Sequence, residues 1–201
     1  MTIPDYKLVY NWDGAPLDYS EYPQSLEQFL EKVYAPLVHT QVDALFWNMG
    51  SHEASWPSQN LEMVGETEDR QYATVRGMRH AEGLLAMFER GENPYAALVE
   101  RGRELGIAVF ASIRMNDNHS GEHYPRRAAF MDAHPEWLLP DPTLEKDDQR
   151  MLDFSFEGVR QFIFEAMEMV VDSFDVDGIE MTFREPMYFP PSQGADRAHC
   201  L

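Results

Sequence analysis

Between residues 159 and 186 the apolar side chains change their spacing, and that change limits the kind of fold the chain can adopt. Val159, Phe162, Ile163, Ala166, Val170 and Phe174 recur at the spacing of an amphipathic helix. Past Asp175-Val176-Asp177-Gly178 the pattern alternates: Ile179, Met181 and Phe183 share one face, and Glu180, Thr182 and Arg184 share the other. A hairpin turn at Asp177-Gly178 is the competing reading of that dipeptide, but a helix rather than a strand precedes it. A helix that hands the chain to a short strand ending in charge is the repeating unit of a parallel α/β sheet.

The same unit recurs upstream. Residues 7–11 form a β-prone run ending in Trp12-Asp13-Gly14. Ser25 and Gln28 make a capping-box signal ahead of the stripe Leu26, Phe29, Leu30, Val33 and Leu37, and Pro36 is placed to end that helix. Residues 42–48 read as a second, mostly apolar strand leading to Trp47, Asn48 and His52. Residues 50–72 are polar and without period, the mark of a long loop. Met78, Ala81, Leu85 and Phe88 outline a helix, and Asn93-Pro94 opens another that stops at Gly106. Residues 107–115 are a third strand, with Arg114, Asn116 and Asp117 at its end, and residues 118–151 read as a long connection.

This alternation predicts parallel strands joined by right-handed crossovers. A closed barrel of this kind needs eight units over about 250 residues, and here four units consume nearly the whole chain. The expected architecture is therefore α/β and TIM-barrel-like: a half or truncated (β/α)8 barrel over residues 1–190, followed by a polar tail, 191–201, expected to be disordered.

Composition removes several functional classes. A chain of 201 residues that is 44% hydrophobic and 12% aromatic can bury a substantial core in one or at most two domains. Sixteen basic against 35 acidic residues leave a net charge of -19, which repels phosphate backbones and anionic bilayers, so neither nucleic acid nor membrane is an expected partner. A single Cys200 excludes an intrachain disulfide framework. With no run of about 18 apolar residues and no basic-then-apolar start, the sequence as written reads as cytoplasmic. His119 and His123 have helical ligand spacing, but Gly121 lies between them and no Glu-Xaa-Xaa-His accompanies them, so no metal is expected. Nucleotide-binding glycine fingerprints and a nucleophile elbow are likewise missing, and no cofactor is expected.

Several motifs occur together in a recognisable order. His134-Pro135-Glu136-Trp137-Leu138, then Leu152-Asp153-Phe154-Ser155 with Val159-Arg160, then Asp175-Val176-Asp177-Gly178-Ile179-Glu180 resemble glycosyl-hydrolase-like family 10. The likeness extends back through Gly106-Ile107-Ala108-Val109-Phe110-Ala111 and Val42-Asp43-Ala44-Leu45-Phe46-Trp47, and so covers most of the chain. The resemblance implies a (β/α)8 barrel that acts on carbohydrate, or descends from enzymes that do, with carbohydrate as its ligand. The sequence departs from the family at Thr182, where relatives often carry an acid two positions after the residue matching Glu180. Threonine cannot serve as a carboxylate acid or nucleophile. Thr182 and Arg184 also break the alternating acids of the family-18 chitinase strand, which disfavours chitinase chemistry.

Glycoside hydrolysis usually sets two carboxylates across the scissile bond. Glu180 and Glu185 are the catalytic candidates. Glu185-Pro186 lies where clan-A glycosidases carry Asn-Glu-Pro, with Arg184 in place of the asparagine. Against these stand an ion pair of Glu180 with Arg114 at comparable height, and a solvated loop position for Glu185. The partner carboxylate of clan A would come from a later strand, so the chain alone is expected to be inactive. The alternative is a non-catalytic sugar-binding or self-assembling half-barrel that forms a homo-oligomer through its open edge. Trp12, Trp47, Trp56, Trp137 and Tyr188 are candidate sugar platforms, with Trp12 and Trp56 the better candidates and loop or core packing as the competing use. Asp13, Asn48, His52, Asn116 and Asp117 are candidate hydroxyl partners beside Arg114 and Arg184. Trp12, Asn48, Asn116 and Glu185 are expected near one edge of the sheet, and the fourth strand is expected to expose apolar surface.

Overall fold

The computed structural model describes residues 7–12, 22–66, 70–116, 127–140, 149–183 and 188–190. Along the chain these form β1 (Val9–Trp12), α1 (Leu26–Tyr34), β2 (Ala44–Gly50), α2 (Val75–Glu89), α3 (Pro94–Leu105), β3 (Ala108–Arg114), α4 (Ala129–Ala133), a 3-10 turn (Pro135–Trp137), α5 (Glu157–Phe174) and β4 (Gly178–Thr182). The four strands make one sheet in the order β1-β2-β3-β4, every pair parallel. This is the expected TIM-barrel-like arrangement, with four parallel strands among the described residues.

Local chemistry sets the helix limits. Ser25 Oγ accepts from the Gln28 amide at 3.2 Å while Gln28 Oε1 accepts from the Ser25 amide at 2.9 Å, which completes the capping box of α1. α1 closes at Tyr34, just ahead of Pro36. Asn93 Oδ1 accepts from the Ala96 amide at 3.0 Å, Pro94 occupies the first turn of α3, and Gly106 ends it in the left-handed region at φ 71°. α2 begins at Val75, earlier than its apolar stripe indicates, because Thr74 caps the Gly77 amide at 3.0 Å. The five residues of α4 are too few to show a period, so this helix emerges from a stretch that reads as loop.

The main core lies between one face of the sheet and the helices. Leu45, Trp47 and Met49 of β2 and Val109, Ala111 and Ile113 of β3 pack against Val33 of α1, Leu98 of α3 and Val170 of α5. Burial of each large side chain there stabilises the fold by about 1.5–3 kcal/mol. The long loop after β2 belongs to this core. Ala54, Trp56, Leu61 and Met63 are buried in it, and Ala54 bridges to both Gly50 and Met63. A segment without period thus behaves as part of the helix layer.

Two aspartates latch the beginnings of the strands. Asp43, one residue before β2, accepts from the Lys7 and Leu8 amides at 2.9 and 3.1 Å. Asp177, one residue before β4, accepts from the Val109 amide at 2.7 Å and donates its own amide to the Val109 carbonyl at 2.9 Å. The Lys7 bond, then the Leu8 bond, hold the Asp43 carboxyl below the ordinary carboxylate range. A carboxyl depressed in this way stabilises the fold above its unfolded value of about 3.9, and the contribution is lost as the pH falls through the folded value. In urea titrations Asp43→Asn is therefore expected to be less stable than the unaltered chain at about pH 6, with the gap narrowing below about pH 4. A gap of constant size down to about pH 2 would rule out a charge-dependent latch.

Both outer strands expose apolar side chains, as expected for β4. Met181 is 51% and Phe183 44% exposed on the β4 side, and Val9 is 44% exposed on β1. On α5, Phe164 and Val171 are exposed as well.

Candidate functional site

Strand alternation turns every second side chain away from the helices, onto the inner face of the sheet. The register sorts this face into rows. Ala44 lies beside Ala108, then Asn11, Phe46, Phe110 and Gly178 form a row, then Asn48, Ser112 and Glu180, then Arg114 beside Thr182. The Phe46 and Phe110 rings meet at 4.9 Å. Phe110 also lies across Gly178, where an added Cβ would stand 2.5 Å from its Cε1. An apolar layer thus underlies a polar one. The polar rows are nearer the C-terminal ends of the strands, the side on which barrels of this type carry their chemistry.

Three oxygens form the centre of the polar rows. Thr182 Oγ1 donates to Glu180 Oε2 at 2.7 Å, Ser112 Oγ donates to the same oxygen, and the two hydroxyls are 2.9 Å apart. Ser112 is buried and Glu180 half-buried. Both hydroxyls serve Oε2, so the carboxylate is fixed in orientation and its other oxygen, Oε1, is the one positioned to accept from a further donor.

This corrects the expected partnership of Glu180 with Arg114. Parallel register sets Ser112 opposite Glu180 and Arg114 opposite Thr182, two residues further along, so the inward side chain level with Glu180 is a serine. Ser112 is the site residue that sequence reasoning missed. Its signal was the alternation it shares with Arg114, masked by the apolar run around it. Thr182, notable in the sequence as a missing acid, orients the acid that is present.

The other candidates are dispersed. Asn48 is half-buried at the end of β2, and its Oδ1 accepts from the Gly50 amide at 2.9 Å. Asn116 follows β3 and is 1% exposed; its amide group donates to the Leu152 carbonyl at 3.1 Å and accepts from the Leu152 amide at 2.9 Å, in effect a strand pairing that pins the segment before α5. His52 is buried with its ring edge-on to Phe130 at 6.0 Å. Trp12, Asn48 and Asn116 do stand at the C-terminal ends of successive strands, as expected.

The tryptophans do not gather on the inner face. Trp12 pairs in register with Trp47 on the helix side, their rings 5.3 Å apart. Trp47 and Trp56 are 3% and 4% exposed, the first edge-on to Phe29 and the second edge-on to Phe174, so neither presents an open face to a sugar. Trp137 stacks on His134 at 4.0 Å and covers Gly158, where an added Cβ would stand 2.5 Å from the indole. A continuous apolar run such as β2 hides which alternate residues face the core, and Trp47 falls on the core side with Leu45 and Met49.

Asp13, Asp117, Arg184 and Glu185 lie outside the described residues, as do His119, His123, Cys200 and the tail 191–201. Among the described residues no group of three or more His, Cys, Asp or Glu is placed to hold a metal ion, and no helix is long and apolar enough to cross a membrane. The hydroxyls of Tyr34 and Tyr95 have their pKa pushed up by burial in the core, so both remain neutral structural groups.

No protein family and no curated protein matches the sequence. Solved structures match its fold. A noncanonic maltogenic alpha-amylase, AmyB, from Thermotoga neapolitana aligns with a TM-score of 0.52 at 17% identity, over 96% of this chain and 42% of that one. Alpha-L-fucosidase isoenzyme 2 from Paenibacillus thiaminolyticus aligns with a TM-score of 0.52 at 16% identity, over 96% of this chain and 26% of that one. The chain thus spans less than half the length of either protein. At such identities the likeness is one of fold: a parallel β/α sheet of the kind these two glycosidases contain. The narrower resemblance to glycosyl-hydrolase-like family 10 rests on the residue pattern alone.

Proposed function

We propose that this chain is a glycoside-hydrolase-like protein that binds or acts on carbohydrate at the inner face of its sheet, with Glu180 at the centre. The observation that carries the proposal is the Ser112–Glu180–Thr182 oxygen cluster, a fixed carboxylate in the upper rows of a glycosidase-like β/α sheet. A sugar presents many hydroxyl donors, and Oε1 of Glu180 is an oriented acceptor for one of them. Asn48 and Arg114 flank that position. In the hydrolytic form of the proposal Glu185 is the acid/base and Glu180 holds substrate, while the partner carboxylate lies beyond the four strands. In the non-catalytic form the same face only binds sugar. Thr182 favours this second form, because a hydroxyl stands where an acid would be needed and is already engaged with Glu180.

A panel of aryl glycosides and matching free oligosaccharides tests both forms. In a longer form that carries the partner carboxylate and hydrolyses a member of the panel, Glu185→Gln is expected to lower turnover by about two to four orders of magnitude, while Glu180→Gln chiefly weakens binding or stability. Full turnover in Glu185→Gln, or a collapse confined to a correctly folded Glu180→Gln, would reverse the two roles. Sugar binding by the unaltered chain supports the carbohydrate reading in either form, turnover gained only when the partner carboxylate is supplied by a longer form selects the hydrolytic one, and no binding at all rejects the carbohydrate reading.

A further inference from the structure

Resting on that carbohydrate reading, we infer that Ser112 and Thr182 are positioning residues that aim Glu180 Oε1 at the ligand, and that the resulting acceptor selects neutral sugars over uronate-containing or phosphorylated ones. Geometry supports the first part. Ser112 is buried on a central strand, Thr182 stands two residues from Glu180 on the same face, and both hydroxyls converge on a single carboxylate oxygen. A glutamate side chain has three rotatable bonds; two hydrogen bonds to one oxygen restrict it and leave the other oxygen directed away from them. The ordering cost is thereby met before the ligand arrives.

Charge supports the second part. A fixed carboxylate can accept from a hydroxyl but opposes a second carboxylate or a phosphate brought to the same row. Arg114, among the described residues the one cation on the inner face, works the other way, but it stands level with Thr182 rather than with Glu180, on a chain whose net charge is -19. Below the polar rows, Phe46 and Phe110 add apolar area without charge, suited to the C–H face of a neutral ring.

The test is an oligosaccharide array with neutral, uronate-containing and phosphorylated members, probed with the unaltered chain and with Thr182→Val, Thr182→Ser and Glu180→Gln. Valine keeps the shape and strand preference of threonine without its hydroxyl, so the fold is retained on an outer strand; serine restores the hydroxyl. The expected result is preference for neutral members, about tenfold weaker binding in Thr182→Val, near-complete recovery in Thr182→Ser, and narrower discrimination against anionic members in Glu180→Gln. Equal or better binding of anionic members, or unchanged binding in Thr182→Val, overturns this inference while the carbohydrate reading stands. Failure of the unaltered chain to bind any member overturns both.

Discussion

Trp56→Ala is expected to destabilise the chain by about 3–5 kcal/mol, read as a lower urea midpoint with little change in slope. The side chain is 4% exposed and anchors the long loop after β2 through an edge-on contact with Phe174 at 5.6 Å. Truncation would leave a cavity where that loop meets α5, and packing of this density relaxes only in part. The same measurement separates this role from that of a sugar platform. A platform tryptophan on an open surface would leave the midpoint almost unmoved and lower affinity instead.

The second large effect is expected at Gly102. A Cβ built there meets Val109 Cγ2 at 2.5 Å, the Ile107 carbonyl oxygen at 2.8 Å and the Tyr34 hydroxyl at 2.8 Å. Here the glycine is required by close approach. α3 lies directly on the start of β3 and on α1, an approach reinforced by the hydrogen bond from the Tyr34 hydroxyl to the Leu98 carbonyl at 2.5 Å. Alanine in place of a helical glycine normally gains about 1 kcal/mol. At this position that gain is outweighed, because the Ile107 oxygen belongs to the backbone and cannot rotate aside. Gly102→Ala is expected to cost a net of about 1–3 kcal/mol and Gly102→Val more, with a melting temperature lowered by several degrees. A melting temperature raised by alanine would mean that α3 sits further from β3 than these distances require.

Much of the scaffold was legible because its signals are local. The Ser25 and Gln28 capping box, the Asn93-Pro94 opening and the Gly106 stop of α3 each act within one turn of helix, and each appears where the residues placed it. The alternation from Ile179 onward likewise put Glu180 and Thr182 on one face of β4. Relations between strands were beyond reach. Whether Glu180 meets Ser112 or Arg114 depends on a register shift of two residues between segments far apart in the chain, and no local pattern encodes that shift. The burial of Trp56 was hidden for a different reason. Ala54, Trp56, Leu61 and Met63 enter the core from irregular backbone, which has no period to betray which side chains point inward. Aromatic residues at a strand end or in a polar loop invite a binding interpretation, and here Trp47 and Trp56 are both buried against core aromatics.

The contact between Phe110 and Gly178 carries an evolutionary consequence. The ring on β3 occupies the volume that any side chain at the start of β4 would need, so the identities of two positions 68 residues apart are tied by one shared space. A side chain acquired at 178 must displace the Phe110 ring, either by turning it to another rotamer or by replacing it with a smaller residue. Either change would disturb the tilted contact between Phe110 and Phe46 in the layer beneath Glu180. Substitution at either position therefore disturbs the layer that underlies the carboxylate row, and the two positions are expected to change together.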